Sequence, residues 1–118
     1  MSTPSSGQFV EFGPYRVDGP NRLLWKGQEM VALGPKSIEV LLALIARAGQ
    51  VVGKQELMDR VWPETFVEEA NLSVQVSALR KALGEREEGG EYIQTIPKRG
   101  YRFMGSVQAA PKGPPKKR

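Results

Sequence analysis

Two segments with basic residues and no acidic ones contain the side chains of this sequence that are best suited to bind a ligand. Arg80 and Lys81 lie in the segment 71–84, and Lys98 and Arg99 lie in the segment 92–110. Guanidinium and ammonium groups without acidic neighbours are suited to anions such as phosphate. The chain contains neither His nor Cys, which excludes Ser-His and Cys-His catalysis and zinc sites built from these residues. Anion binding is therefore favoured over catalysis.

The net charge of +4 does not by itself indicate a basic domain. Four of the 17 basic residues lie in the last seven positions, which leaves 13 basic and 13 acidic residues in the rest of the chain. Acidic residues gather in the segments 64–69 and 85–91. The charges are therefore segregated along the chain, and any anion-binding surface must come from that segregation.

The length of 118 residues predicts one small domain. We expect a disordered N-terminus at 1–7, a folded domain at 8–108 and a basic, Pro-rich linker at 109–118. The final "PPKKR" has two further interpretations, a phosphate-binding arm or the cytoplasmic flank of a membrane helix that follows residue 118. The sequence has no signal peptide and no spanning segment, which predicts a cytoplasmic location.

The first half of the domain changes its periodicity from two to about 3.6. The runs "FVEF", "YRV", "RLLW" and "EMVAL" alternate with turn residues, which predicts three or four short antiparallel strands. An apolar stripe then predicts a first helix over Pro35–Ala48. A second, short helix is predicted between Gly53 and Trp62.

The third predicted helix begins near Glu68 and is closed by Gly84. Its apolar residues fall within a narrow arc, which indicates one buried stripe: Leu72, Val76, Leu79 and Leu83. The opposite face is small, polar and basic, and it also carries Val74 and Ala78. Finally, "YIQTI" and "YRFMGSV" predict a hairpin with Lys98, Arg99 and Gly100 at its tip.

This order of elements predicts an α+β fold of the winged helix-turn-helix type, with an N-terminal antiparallel sheet, three helices and a C-terminal β-hairpin wing. A helix enters the major groove of DNA only if its outer face lacks bulk and acidic groups. A hairpin beside that helix can place basic residues on phosphates or in the adjacent minor groove. The sequence therefore favours DNA binding.

The same segments resemble the OmpR/PhoB-type effector domain of transcriptional regulators, including ToxR/CadC-like proteins. The similarity rests on "LGPKSIEVLLALIARAGQVVGKQELMDRVWPE", "FVEEANLSVQVSALRKALG" and "YIQTIPKRGYRF". It implies sequence-specific binding of double-stranded DNA without a cofactor, commonly by tandem copies on direct repeats. The DNA-contacting positions that it implies are Asn71, Ser73, Val74, Gln75, Ser77, Ala78 and Arg80 in the helix, and Lys98, Arg99, Gly100 and Tyr101 in the wing.

The resemblance also assigns a role to the loop 62–68, which corresponds to a segment that faces RNA polymerase in activators of this family.

Several of the predicted DNA-contacting positions have a second interpretation. Val74 and Ala78 can contact thymine methyl groups or form a second packing surface, and Asn71 and Gln75 can read adenine or remain solvated. These hydrogen-bonding and apolar groups favour an A·T-leaning site.

The basic residues have structural alternatives as well. Arg80 near a helix C-terminus is favourable in any protein, although the resemblance favours a phosphate contact, and Lys98 and Arg99 can be ordinary loop charges. A winged-helix module that binds a protein partner is the alternative function. The pair Glu68 and Glu69 suggests a helix start rather than an acid–base site, so we do not expect an enzyme.

Overall fold

A computed structural model of the protein describes residues 9–86 and 89–109. The predicted disordered segment 1–7 and residues 110–118 of the predicted linker lie outside the described residues. The elements in chain order are β1 (Phe9–Phe12), β2 (Tyr15–Asp18), β3 (Leu23–Lys26), β4 (Glu29–Val31), α1 (Pro35–Ile45), β5 (Val51–Gly53), α2 (Lys54–Val61), α3 (Glu69–Leu83), β6 (Ile93–Ile96), β7 (Gly100–Phe103) and β8 (Gln108–Ala109).

The predicted N-terminal antiparallel sheet is confirmed, and it gains a strand from the other end of the domain. Its strand order is β4-β3-β2-β1-β8, and we call it the N-terminal sheet. Val10 of β1 pairs with Val17 on one side and with Ala109 of β8 on the other. The sequence predicts that Ala109 belongs to the linker, whereas the structure places it in β8.

The first helix is shorter than predicted, because it ends at Ile45 and not at Ala48. The amides of Arg47 and Ala48 donate to carbonyls three residues earlier, at 3.1 Å each, so the chain tightens into a turn after the helix. Gly49 has a φ of 84°, and its amide donates to the carbonyl of Phe103 at 2.9 Å. The turn after the helix is thus tied to β7.

The predicted hairpin is confirmed, but it belongs to a sheet of three strands in the order β5-β7-β6. We call this sheet the wing sheet. The third strand is β5, a segment between α1 and α2 for which the sequence predicted no strand. Val52 of β5 pairs with Tyr101 of β7, and Thr95 of β6 pairs with Tyr101 from the other side.

A single apolar core joins the two sheets to the three helices. Phe12 lies in this core with Tyr92 and Phe103, and both ring pairs meet edge to face at centroid distances of 5.3 and 5.0 Å. The hydroxyl of Tyr15 donates to the carbonyl of Leu83 at 2.6 Å, which satisfies a carbonyl of the last turn of α3. Burial and the nearby phenol of Tyr92 raise the pKa of Tyr15.

The second helix has the bounds that the sequence indicated, and its end is fixed by α1. The ammonium of Lys36 donates to the carbonyl of Val61 at 2.7 Å, so a side chain of α1 satisfies the last turn of α2. The ammonium also lies 6.0 Å from the ring centroid of Trp62.

Within residues 9–86 and 89–109, none of the helices combines the length and the hydropathy needed to cross a bilayer.

Candidate nucleic-acid interface

The third helix buries the predicted stripe and leaves the opposite side free of contacts that would cover it. Leu72, Val76, Leu79 and Leu83 are at most 3% exposed, whereas Val74 is 62% exposed. Val74 therefore does not pack on a second surface within the described chain. We call the residues around it the outer face of α3; Asn71, Ser73 and Ser77 are exposed and Gln75 and Ala78 are half-buried.

Gln75 is held by a contact between two helices. The hydroxyl of Ser37 in α1 donates to the Oε1 atom of Gln75 at 2.6 Å. This bond fixes the orientation of the amide and occupies its oxygen. The sequence offered no signal for the contact, because the two residues are 38 positions apart.

Arg80 is engaged inside the protein, so its guanidinium already has partners other than a phosphate. Its Nε atom donates to the carbonyl of Ile93 at 3.1 Å and lies 3.0 Å from the carboxylate of Glu91. Its Nη2 atom also donates to the hydroxyl of Thr95. These contacts tie α3 to β6 and position the wing, and the phosphate contact of Arg80 stays a prediction.

The tip of the wing, residues 97–99, exposes two cations on a tight turn. The amide of Arg99 donates to the carbonyl of Ile96 at 3.0 Å, and Lys98 has a φ of 65°. Pro97 before a residue with positive φ is typical of a type II turn. Lys98 and Arg99 are exposed, and neither forms an ion pair with the part of the chain that the structure describes.

The other two predicted wing residues are buried. A Cβ atom on Gly100 would lie 2.0 Å from the carbonyl oxygen of Val52, so the close approach of β5 and β7 requires glycine. Tyr101 is only 6% exposed and belongs to the core. Gly100 and Tyr101 therefore have a packing role in the wing sheet, and their contact with DNA stays a prediction.

The start of α3 is joined to α2 by an ion pair. The ammonium of Lys54 lies 2.7 Å from the carboxylate of Glu69, and the hydrogen bond to this carboxylate raises the pKa of Lys54. Glu69 is therefore the partner of a lysine and an acidic residue in the first turn of a helix. Within the described residues, no three His, Cys, Asp or Glu side chains come together to hold a metal ion.

The loop between α2 and α3 forms a second surface. Phe66 in this loop is 93% exposed, and the loop borders a groove that Met58 of α2 and Trp62 also line. A phenyl ring in such an exposed position lacks the burial that usually accounts for an apolar side chain.

Known proteins show the same arrangement. The family described as "Transcriptional regulatory protein, C terminal" matches residues 27–103. The transcriptional regulator HilA of Salmonella typhimurium is 39% identical over 104 residues, which cover 88% of this chain and 18% of HilA. The chain spans between 18% and 29% of the length of the curated relatives that it matches first.

Two solved structures extend the comparison to the fold. The DNA-binding domain of Escherichia coli CadC has a TM-score of 0.77 and 29% identity, and the match covers 90% of this chain and all of that domain. The DNA-binding domain of Klebsiella pneumoniae RstA, solved in complex with the RstA box, has a TM-score of 0.67 and 28% identity over 81% of this chain and 96% of RstA. The chain therefore belongs to the transcriptional regulatory protein C-terminal family, as a winged-helix domain of the OmpR/PhoB DNA-binding type and not an enzyme.

Proposed function

We propose that this domain binds double-stranded DNA in a sequence-specific manner as the effector domain of a transcriptional regulator. α3 lies in the major groove, and the wing tip lies on the phosphates or in the adjacent minor groove. The observation that carries this proposal is the composition of the outer face of α3. It is largely exposed, carries no acidic group and is made of small or amide side chains with Lys81 two turns after Val74, and its one large apolar residue is Val74 at 62% exposure.

The two surfaces supply the two kinds of contact that DNA recognition needs. Amide and hydroxyl groups on the outer face of α3 match base edges, and Val74 and Ala78 match thymine methyl groups. Cations at the wing tip match phosphates. The proposed contact residues are Asn71, Ser73, Val74, Gln75, Ser77 and Ala78 in α3, and Lys98 and Arg99 in the wing.

A complex with DNA in a related domain adds independent support. RstA, which shares the fold at a TM-score of 0.67, is described as a DNA-binding domain in complex with the RstA box. The alternative function, a module that binds a protein partner through the same face of α3, makes a different prediction about salt. Binding to DNA weakens steeply as salt rises because counterions are released, whereas an apolar protein interface responds little.

The test is a selection from random duplex DNA at two salt concentrations, with the wild type and Asn71→Ala. We expect one enriched motif, weaker binding at the higher salt concentration, and a changed preference in the variant at one position of the motif. Phe66→Ala serves as the control, because this exposed residue lies in the α2–α3 loop and not on the outer face of α3. Binding that enriches no motif and is insensitive to salt would overturn the proposal.

We also propose that the α2–α3 loop, residues 62–68, contacts RNA polymerase. Phe66 provides an exposed apolar side chain, and Glu64 and Glu68 beside it are exposed acids. Such a combination suits a protein partner better than DNA. Phe66→Ala should abolish activation of transcription in a reconstituted assay while DNA affinity stays unchanged. An unchanged level of transcription would contradict this assignment.

The proposal also includes the arrangement of the domain on DNA and the compartment in which it acts. Copies of the domain bind in tandem on direct-repeat half-sites, so a mobility-shift titration should show two successive complexes on a repeated site and one on a single half-site. A regulator of transcription acts on DNA in the cytoplasm, with this domain either free or attached to a membrane helix that follows residue 118. One complex on both DNAs would contradict tandem binding.

A further inference from the structure

Ser37 is a polar residue in the core next to the outer face of α3. It is the third residue of α1 and is only 2% exposed. A buried hydroxyl without a hydrogen-bond acceptor lowers stability. Within the described chain, the hydroxyl donates to Oε1 of Gln75, at 2.6 Å. The bond therefore gives the buried hydroxyl of Ser37 an acceptor, and it also holds the amide of Gln75 in one orientation.

The contact determines which end of the Gln75 amide is available to a ligand. Only Oε1 can accept the proton of the Ser37 hydroxyl, because the Nε2 group is a donor. In the opposite orientation Nε2 would donate to the Ser37 oxygen, and the hydroxyl proton would need another acceptor. With Oε1 engaged, Nε2 is the free end; it has no hydrogen-bond partner among the described residues and is not among their buried unsatisfied atoms.

We propose that Ser37 is a positioning residue that makes Gln75 a hydrogen-bond donor toward a base edge in the major groove. This inference rests on the proposed insertion of α3 into DNA. A free glutamine amide reads adenine with both ends, because N6 donates to the amide oxygen and N7 accepts from the amide nitrogen. The bond from Ser37 takes one of the two lone pairs of Oε1 and fixes the direction of the amide, which disfavours that two-bond pair.

The chemistry of the donor identifies the bases that Gln75 selects. In the major groove, guanine presents two acceptors at N7 and O6, and thymine presents one at O4. Adenine presents a single acceptor at N7 beside an amino donor that Nε2 cannot satisfy, and cytosine presents only an amino donor. Gln75 therefore selects guanine or thymine over adenine and cytosine.

The experiment is a selection from random duplex DNA with the wild type, Ser37→Ala, Ser37→Thr, Gln75→Ala and the double variant Ser37→Ala/Gln75→Ala. Gln75→Ala identifies the base position that Gln75 reads, because the preference at that position flattens. Ser37→Ala frees the amide oxygen, and we expect the ratio of adenine to guanine plus thymine at this position to rise by about fivefold or more. Ser37→Thr keeps a hydroxyl and should restore the wild-type ratio.

The double variant and the form of the readout separate this role from a structural one. In the Gln75→Ala background, Ser37→Ala should leave the base ratio unchanged, because there is no amide to release. The ratio is measured among bound molecules, so a loss of folded protein does not imitate the effect.

Two results overturn the inference while leaving sequence-specific binding intact. One is a wild-type motif whose base ratio at the Gln75 position is the same in Ser37→Ala, and the other is a motif in which Gln75→Ala flattens no position. If the wild type enriches no motif at all, the proposed function itself fails, and the inference fails with it.

Discussion

The outer face of α3 and the tip of the wing are both exposed, yet they differ in almost every physical property. The outer face consists mainly of small and amide side chains, sits on a regular helix of 15 residues and is backed by a buried stripe. The wing tip carries two cations on a turn in which Lys98 has a positive φ. We expect from this difference that the helix responds to the sequence of the DNA and the wing responds to its charge.

The largest expected effect is a loss of stability caused by a single change inside the wing sheet. Gly100→Ala places a Cβ atom 2.0 Å from the carbonyl oxygen of Val52, so β5 and β7 must separate. We expect the free energy of unfolding to fall by about 3 kcal/mol in urea titrations. Gly34→Ala is the matched control, since a Cβ atom there meets nothing within 4 Å, and it should cost about 1 kcal/mol or less as an N-cap change.

A second prediction introduces an acidic group on the outer face. Val74→Glu places a negative charge beside DNA phosphates, and we expect the affinity for the selected site to fall at least about tenfold. Because Val74 is 62% exposed, the free energy of unfolding should change by no more than about 0.5 kcal/mol. Phe66→Glu introduces the same charge at a more exposed site, and its DNA affinity should stay close to that of the wild type. Equal losses in the two variants would remove the distinction between the two surfaces.

A third prediction concerns the charge of the wing tip. Arg99→Ala should weaken binding to specific and nonspecific DNA alike, since a phosphate contact carries no sequence information. The slope of log affinity against log salt should become shallower by about 0.9, the value for one phosphate contact. Lys26→Ala removes an exposed cation from β3 in the N-terminal sheet and should leave the slope unchanged. An unchanged slope in Arg99→Ala would exclude the wing from the interface.

The smallest expected effect is that of Lys98→Gly, which should raise the stability of the domain and reduce its electrostatic contact with DNA. Lys98 has a φ of 65°, a conformation that costs side chains with a Cβ atom about 1 kcal/mol and glycine much less. Lys98→Gly should therefore raise the free energy of unfolding by up to about 1 kcal/mol while it makes the salt slope shallower. Lys98→Asn should fall between the two. A loss of stability in Lys98→Gly would show that the turn does not strain the lysine.

The regular elements followed from local patterns, and the exceptions depend on contacts between distant residues. The stripe of α3 could be predicted because its four leucine and valine residues repeat with the period of a helix. Val51–Gly53 carries no such signal in three residues, and its strand character comes from pairing with β7, about 50 residues away. The turn after α1 is likewise tied to a distant residue, because the amide of Gly49 donates to the carbonyl of Phe103.

The candidate site was predictable in outline for the same reason, but not in the roles of its individual residues. The helical period places Val74 opposite the buried stripe, and the structure exposes it. The period does not reveal that Arg80 has partners in β6 or that Gln75 has one in α1. Burial of Tyr101 likewise depends on the strands at both sides of it. A sequence pattern identifies a face, whereas the partners of each polar group are set by the tertiary structure.

The pairing of β5 with β7 has a consequence for chimeras in which segments of related regulators are exchanged. The wing is not a separable hairpin, because one of its three strands precedes α2 and the other two follow α3. A chimera that receives residues 93–103 alone loses the strand against which Gly100 is fitted. Functional recombination at this end of the domain must therefore transfer residues 51–103 as one block, so that the two DNA-facing surfaces are inherited together.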